Sequence, residues 1–163
     1  MKEEKIEEEL SNLINNYEKF NKDVLLNYKT SYYGRLNEID KKEDLKTKKG
    51  VYIIFSDGQH FVYPKGFSRI SYIGQSDNLY GRLDTHKKSM EVAESYIKNE
   101  NNEMDSYFLY DKYCYMNNYG ANVYILEKDE ETPSNLEYYL LDAFYCHYFA
   151  LPVGNKQLPR LKA

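Results

Sequence analysis

Apolar side chains recur at helical spacing across residues 3–28, and this pattern predicts an amphipathic helix near the start of the chain. An apolar face needs a partner, so we expect the helix to pack on its own domain, to pack on a second copy of the chain, or to embrace DNA. Residues 29–49 are polar and charged, which favours a loop or a short helix. The apolar face consists of Ile6, Leu10, Leu13, Ile14, Tyr17, Val24, Leu25 and Tyr28.

Three apolar runs rich in β-branched and aromatic residues predict the strands of a small sheet. The first run begins at Gly50, the second ends at Gly74, and the third covers residues 121–126. The connection between the first two, residues 56–69, is long for a turn and predicts an enlarged hairpin that could contact bases or phosphates or simply lie on the surface.

Two more helices are predicted, one before the third strand and one after it. A helical pattern begins near Asn78, and another follows Thr132 and Pro133, which suit a helix cap and a first helical position. Pro152 ends the later pattern. We therefore expect an α/β domain with a small, mainly antiparallel three-stranded sheet flanked by helices, preceded by an N-terminal helical extension.

Charge limits the function classes that the chain fits. The net charge of −4 argues against the broad basic surface of a tight, non-specific DNA binder. Residues 50–90 nevertheless carry five basic and three acidic side chains, which is compatible with a local basic cleft. No apolar run approaches the length of a membrane span, and the N-terminus is acidic, unlike a signal peptide. We expect a cytoplasmic protein of one domain.

Candidate chemistry gathers around the first two strands and the helix after them. Tyr52 and Tyr72 lie on the strands, while Arg82 and His86 are four residues apart and share one helix face. Taken singly, such residues are most often half-buried strand tyrosines and a surface pair on a helix.

Two polar residues in the last third of the chain also have two interpretations. Glu137 follows Ser134 by three residues, so it is either the glutamate of a capping box or a carboxylate that binds a metal ion. Asn155 lies just after the last predicted helix, where an asparagine is usually a turn residue.

These residues, taken in order and with their predicted elements, resemble the motif set of the GIY-YIG nuclease family. Gly50-Val51-Tyr52 is similar to the first motif of the family and Tyr72-Ile73-Gly74 to the second. The connection between the two motifs is longer here than is usual in the family. The helix arginine, the histidine one turn later, the metal-binding glutamate and the asparagine after the later helix are matched by Arg82, His86, Glu137 and Asn155.

The resemblance covers residues 48–157, which implies a nuclease domain there, an N-terminal helical extension over residues 1–47 and a C-terminal tail over residues 158–163. It implies a DNA endonuclease of restriction-like or phage type that depends on Mg²⁺, or on Mn²⁺ in its place. Double-strand cutting by so small a chain would favour a homodimer. The alternative is a non-catalytic scaffold that binds DNA or protein. All six site positions are filled, so we favour the enzyme.

In such an enzyme, Glu137 would bind the metal ion and Arg82 would hold phosphate oxygens with its planar fork of donors. Tyr52 and Tyr72 would orient the attacking water and one of them would accept its proton, and the resemblance does not say which. His86 would accept the proton, because the ordinary pKa of histidine is near 6.5, and Asn155 would hydrogen-bond the glutamate or a phosphate. The residues expected to bind DNA are Lys65, Arg69, Lys87 and Lys88.

Overall fold

A computed structural model describes residues 8–15, 29–41, 43–56, 60–98, 121–127 and 133–159. Within these ranges, four strands form an antiparallel sheet in the order β1-β6-β2-β5, and β3 and β4 form a separate hairpin. The strands are β1 (Lys29–Arg35), β2 (Gly50–Ser56), β3 (Phe61–Tyr63), β4 (Gly66–Ser68), β5 (Ile70–Ser76) and β6 (Ala121–Glu127).

Three α-helices and two short 3₁₀ helices accompany the strands in the described ranges. The α-helices are α1 (residues 8–15), α2 (Leu79–Lys98) and α3 (Pro133–Tyr148). The 3₁₀ helices are Leu36–Lys41 and Glu43–Thr47. The predicted start of α2 is confirmed, since Asn78 caps it by accepting a hydrogen bond from the Gly81 amide at 3.0 Å. The predicted α3 is also confirmed, with Pro133 as its first residue.

The sheet has four strands where the sequence predicted three, and the additional strand is β1. β1 lies in residues 29–49, for which we expected a loop or a short helix. Its sequence is polar and lacks an apolar run, so hydrophobic patterning could not reveal it. What makes it a strand is antiparallel pairing with β6, in which Thr30 lies opposite Leu126. The 3₁₀ helices account for the remainder of that segment.

Strand β2 lies between β5 and β6, and all seven of its residues are buried. Successive side chains of a strand point to opposite faces, so β2 contributes to two apolar layers. Val51, Ile53 and Phe55 pack with α1 and α3 on one face. Tyr52 and Ile54 pack with α2 and the 3₁₀ helices on the other face. The two helices that carry the candidate site therefore lie on opposite faces of the sheet.

The apolar face of α1 packs against its own chain. Leu10, Leu13 and Ile14 are each no more than 5% exposed and belong to the layer that contains α3. One expectation was that this face pairs with a second copy of the chain. Leu10 and Leu13 cannot take part in such a contact, because they are buried within their own chain. Two other residues of that face, Ile6 and Tyr17, lie outside the described residues.

A carboxylate on α1 also joins this helix to the β3–β4 hairpin. Glu9 Oε2 accepts hydrogen bonds from the Ser68 hydroxyl at 3.0 Å and from the Arg69 amide at 2.9 Å. Its Oε1 lies 3.2 Å from His60 Nε2. Parts of the predicted N-terminal extension are thus packed into the same body as the motif strands. Among the helices described, none is long and apolar enough to cross a membrane.

The burial of α1 can be tested by measuring how substitutions on this helix change the stability of the protein. Replacing Leu13 with alanine should lower the free energy of unfolding by about 2–5 kcal/mol, because a fully buried leucine side chain is removed. Asn12→Ala is the matched control on the exposed side of the same helix, and it should change stability by no more than about 0.5 kcal/mol. Urea unfolding followed by circular dichroism gives both values. Equal stabilities of the two variants would contradict the packing of α1 described above.

Candidate active site

A cleft of about 420 Å³ lies beside β5, an edge strand of the sheet, and residues of α2 and α3 also line it. Five of the six residues predicted from the sequence line this cleft, although they come from β5, α2, α3 and the segment after α3. They are Tyr72, Arg82, His86, Glu137 and Asn155.

Tyr52, the sixth residue, lies behind the cleft rather than in it. It is fully buried on β2, directly opposite Gly74 of β5. A side chain at position 74 would not fit, because its first carbon would lie 2.5 Å from Tyr52 Oη and 2.5 Å from Tyr72 Cε1. The glycine therefore allows the two tyrosine rings to stack, with centroids 5.8 Å apart and planes 17° from parallel.

The Tyr52 hydroxyl connects Arg82 to His86. Arg82 Nε donates a hydrogen bond to Tyr52 Oη at 3.3 Å, and Tyr52 Oη lies 2.9 Å from His86 Nε2. An arginine cannot accept a hydrogen bond, so Tyr52 Oη is the acceptor in its bond with Arg82. The Tyr52 oxygen thus holds the guanidinium on one side and the imidazole of His86 on the other.

Burial keeps both partners of this hydrogen bond uncharged. It raises the pKa of Tyr52 far above its ordinary value of 10, an effect that Arg82 only partly opposes. Burial and then the charge of Arg82 lower the pKa of His86 to about 3. The proton thus stays on Tyr52 at neutral pH. This differs from the expectation that His86 would exchange a proton near pH 6.5.

The guanidinium of Arg82 is the charged group next to both tyrosines. In addition to its bond to Tyr52, Arg82 donates from Nη2 to Tyr72 Oη at 3.4 Å. The hydrogen bond to Tyr72 is the main reason why the pKa of Arg82 lies above its ordinary value. Arg82 is therefore charged at any working pH, with its planar group oriented by two phenol oxygens.

Glu137 lies on the second turn of α3 and faces the cleft half-buried. The helix already begins at Pro133, so Ser134 is in its first turn and the capping-box interpretation does not fit. Burial raises the pKa of Glu137 to about 7, against the lowering effect of Arg82. Within the described ranges, the carboxylate accepts no hydrogen bond and has no ion pair with N–O distance within 4 Å. A half-buried carboxylate without such partners suits a cation.

The residues around Glu137 do not form a closed metal cage. In the described part of the chain, no three side chains of His, Cys, Asp or Glu come close enough to hold one ion together. Mg²⁺ commonly binds through one or two carboxylates and keeps several waters. The donor set fits such an open Mg²⁺ site, and it does not fit a structural zinc site.

The amide of Asn155 is bonded to β5 rather than to Glu137. Its Oδ1 accepts from the Ile73 amide at 3.0 Å, and its Nδ2 donates to the Ile73 carbonyl at 2.7 Å. Next to it, the Gly154 amide donates to the Ser71 carbonyl at 2.8 Å. These bonds satisfy the outer edge of β5, which is an edge strand of the sheet. The main role of Asn155 in the structure is to fasten the segment after α3 along the cleft.

Four polar residues in the cleft were not predicted. Thr85 and Ser89 lie three and seven residues after Arg82, so helical spacing from the arginine would have revealed them. Lys156 and Gln157 come from the segment that Asn155 fastens, and no sequence pattern marks them. Lys156 adds a second cation to the cleft lining, in which Glu137 is the one carboxyl group among the described residues.

The four residues expected to bind DNA do not line the cleft. Lys65 Nζ lies 4.1 Å from the centroid of the Phe149 ring, and Arg69 is half-buried beside the hairpin. The other two side chains form ion pairs on α2, Lys87 with Glu91 at 3.7 Å and Lys88 with Asp84 at 2.7 Å.

Comparison with known proteins gives no independent assignment. No protein-family model matches the sequence, and no curated protein or solved structure is similar enough to it to be matched. The functional conclusion therefore depends on the geometry of the cleft and on the resemblance of the motifs.

Proposed function

We propose that this protein is a Mg²⁺-dependent endonuclease that hydrolyses phosphodiester bonds in DNA. The observation that carries the proposal is the meeting of Tyr72, Arg82 and Glu137 in one cleft, although they lie on β5, α2 and α3. A water-orienting hydroxyl, a fixed cation and a carboxylate for a metal ion are the groups that phosphodiester hydrolysis needs.

Arg82 would bind the phosphate that is cut. Two of its N–H groups are directed to Tyr52 and Tyr72, and this fixes the plane of the guanidinium. A guanidinium has five N–H donors, so others remain to bind phosphate oxygens. Since the group is oriented before substrate arrives, it can stabilise charge that develops in the transition state without reorganising.

Glu137 would hold the metal ion in its ionised form. A bound Mg²⁺ would supply charge neutralisation at the phosphate and a bound water of lowered pKa. The pKa of Glu137, raised to about 7, means that this carboxyl gives up its proton to become a ligand near neutral pH. Binding without DNA should be weak, because one carboxylate is the only protein ligand proposed.

Tyr72 is the tyrosine that can meet the attacking water. It lines the cleft, whereas Tyr52 is fully buried with its hydroxyl hydrogen-bonded to His86 and Arg82. Arg82 next to the Tyr72 oxygen would stabilise negative charge there. Tyr52 and His86 act as positioning residues, since both rings pack against the Tyr72 ring and the Tyr52 oxygen accepts a hydrogen bond from Arg82.

The central experiment incubates purified protein with supercoiled plasmid, with Mg²⁺ or with EDTA. Wild type should cut only with Mg²⁺, and Glu137→Gln should not cut although it remains folded and binds DNA. Asp142→Asn removes a carboxylate from the same helix outside the cleft and should cut normally. Full cleavage by folded Glu137→Gln would contradict the metal role. Wild type that binds DNA without cutting would instead favour the non-catalytic scaffold.

The pH dependence of the cleavage rate should follow the ionisation of the Glu137 carboxyl group. Below about pH 7 the carboxyl group is neutral, so at limiting Mg²⁺ the rate should fall roughly tenfold per pH unit. More Mg²⁺ should shift the midpoint to lower pH, because binding favours the carboxylate. His86→Ala should leave the midpoint in place, since the pKa of His86 is about 3. A midpoint that disappears in His86→Ala would assign the titration to the histidine.

The pH dependence of protein stability reports the same pKa of Glu137 without a cleavage assay. The folded-state pKa of Glu137 lies above its ordinary value of 4.5, so its contribution to stability is fully present below pH 4.5 and is lost as pH rises through about 7. In metal-free buffer, Glu137→Gln should therefore gain in Tm relative to wild type between pH 5 and pH 8. A constant difference in Tm would show that the pKa is not raised.

The two tyrosines should differ in what their hydroxyls do. Tyr72→Phe should lower kcat by about 10²-fold or more. Tyr52→Phe should lower the free energy of unfolding by about 1–3 kcal/mol, because buried His86 loses a hydrogen-bond partner, and should affect kcat less. Tyr80→Phe, on α2 outside the cleft, is the control for both readouts. The reverse pattern would mean that the buried tyrosine activates the water.

A further inference from the structure

The β3–β4 hairpin is bound to the protein along one of its faces. Phe61, Tyr63 and Ser68 are buried on that face. The Tyr63 hydroxyl donates to the Ile70 carbonyl at 2.8 Å and accepts a hydrogen bond from the Val153 amide at 3.1 Å. These contacts join the hairpin to β5 and to the segment after α3.

Two further contacts hold the hairpin at its turn and at its end. At the turn, the Lys65 amide donates to the Tyr148 carbonyl of α3 at 3.2 Å. At the end, Glu9 of α1 accepts from the hydroxyl of Ser68 and from the amide of Arg69. The hairpin is therefore fastened to several other parts of the chain, and its outer face is presented on a fixed backbone.

That outer face is apolar and exposed. Val62 and Phe67 lie directly opposite each other in the hairpin and are 76% and 65% exposed. They are the two most exposed of the large apolar side chains in the described ranges. A paired apolar surface of this kind on a rigid support usually marks an interaction site.

The charge around the hairpin suits a polyanion. Residues 60–69 include Lys65 and Arg69 and contain no Asp or Glu. The carboxylate of Glu9 lies beneath the hairpin, where it is bonded to Ser68 and the Arg69 backbone and lies next to His60. Lys65 is at the turn, with its ammonium over the ring of Phe149.

The hairpin is adjacent to the candidate active site. Val153, whose amide is bonded to Tyr63, is followed in the chain by Gly154 and Asn155, and both line the cleft. Two residues span at most about 7 Å, which corresponds to about two base-pair steps of DNA. A duplex with one phosphate in the cleft would therefore lie close to the place where the hairpin is attached.

We propose that the outer face of the β3–β4 hairpin contacts bases of the DNA beside the scissile phosphate, with Val62 and Phe67 against the bases and Lys65 on a flanking phosphate. A two-stranded ribbon fits a DNA groove, and apolar side chains can pack against or between bases. This inference rests on the proposed endonuclease function and names the element that recognises its substrate.

Salt dependence of binding separates the apolar contact from the ionic one. With Ca²⁺ in place of Mg²⁺ to prevent cutting, fluorescence anisotropy of a labelled duplex gives Kd at several KCl concentrations. Phe67→Ala should raise Kd roughly tenfold at every concentration, because a base contact is lost but no charge is. Lys65→Ala should reduce the slope of log Kd against log salt by the amount that corresponds to the loss of about one phosphate contact. Phe67→Tyr should bind as wild type does.

Val92→Ala is the control, because Val92 is an exposed apolar residue on α2 that does not line the cleft, and its Kd should not change. Circular dichroism should show that every variant is folded, since the replaced side chains are largely exposed. If wild type cuts plasmid but Phe67→Ala binds DNA as tightly, only the hairpin inference is wrong. If wild type neither binds nor cuts DNA, the endonuclease proposal fails and the hairpin inference fails with it.

Sedimentation would test whether a second copy of the chain, rather than DNA, covers this face. Wild type and Phe67→Ala should have the same oligomeric state at the concentrations used for binding. A dimeric wild type that becomes monomeric in Phe67→Ala, with unchanged affinity for DNA, would show that the hairpin mediates self-association and would overturn the proposal.

Discussion

The close contact between Tyr52 and Tyr72 across Gly74 determines the geometry of the candidate site. The glycine lets two rings on neighbouring strands stack, and the stack brings both hydroxyls within reach of the guanidinium of Arg82. The helix that carries the arginine is itself fixed by Leu79, which is buried in the same apolar layer as Tyr52. One packing constraint thus sets the positions of the cation and of both phenols.

Burial explains the electrostatic character of the site as well as its shape. The same desolvation raises the pKa values of Tyr52 and Glu137 and lowers that of His86, so each group is pushed toward its neutral form. Arg82 is the exception, because hydrogen bonds from its guanidinium to phenol oxygens favour its charged form. That charge is exposed in the cleft and held in place by the two phenol oxygens, so it is oriented toward an approaching phosphate.

The sequence predicted the elements that have an apolar pattern and missed the one that does not. The strands that carry Tyr52 and Tyr72 were found because β-branched and aromatic residues are dense there, and α2 because Asn78 precedes a helical pattern. β1 was missed because pairing with β6, and not side-chain hydrophobicity, makes it a strand. Local sequence does not report partners that are distant along the chain.

The resemblance to the GIY-YIG motifs selected six residues, and five of them line one cleft. It could not distinguish the tyrosine that lines the cleft from the one that is fully buried, because both lie on strands of similar composition. It also could not show that the Asn155 amide is bonded to Ile73, since that bond depends on how the segment after α3 returns to the sheet edge.

The position of β1 changes what counts as the domain. A boundary at residue 48 follows the motifs, yet it would separate β6 from its hydrogen-bonding partner and remove Leu36 and Leu45 from the layer that buries Tyr52. An uncovered strand edge can pair with other chains. The candidate motifs and the described part of the chain before residue 48 therefore form one structural unit, and a truncation at that residue would open both the edge of β6 and the layer around Tyr52.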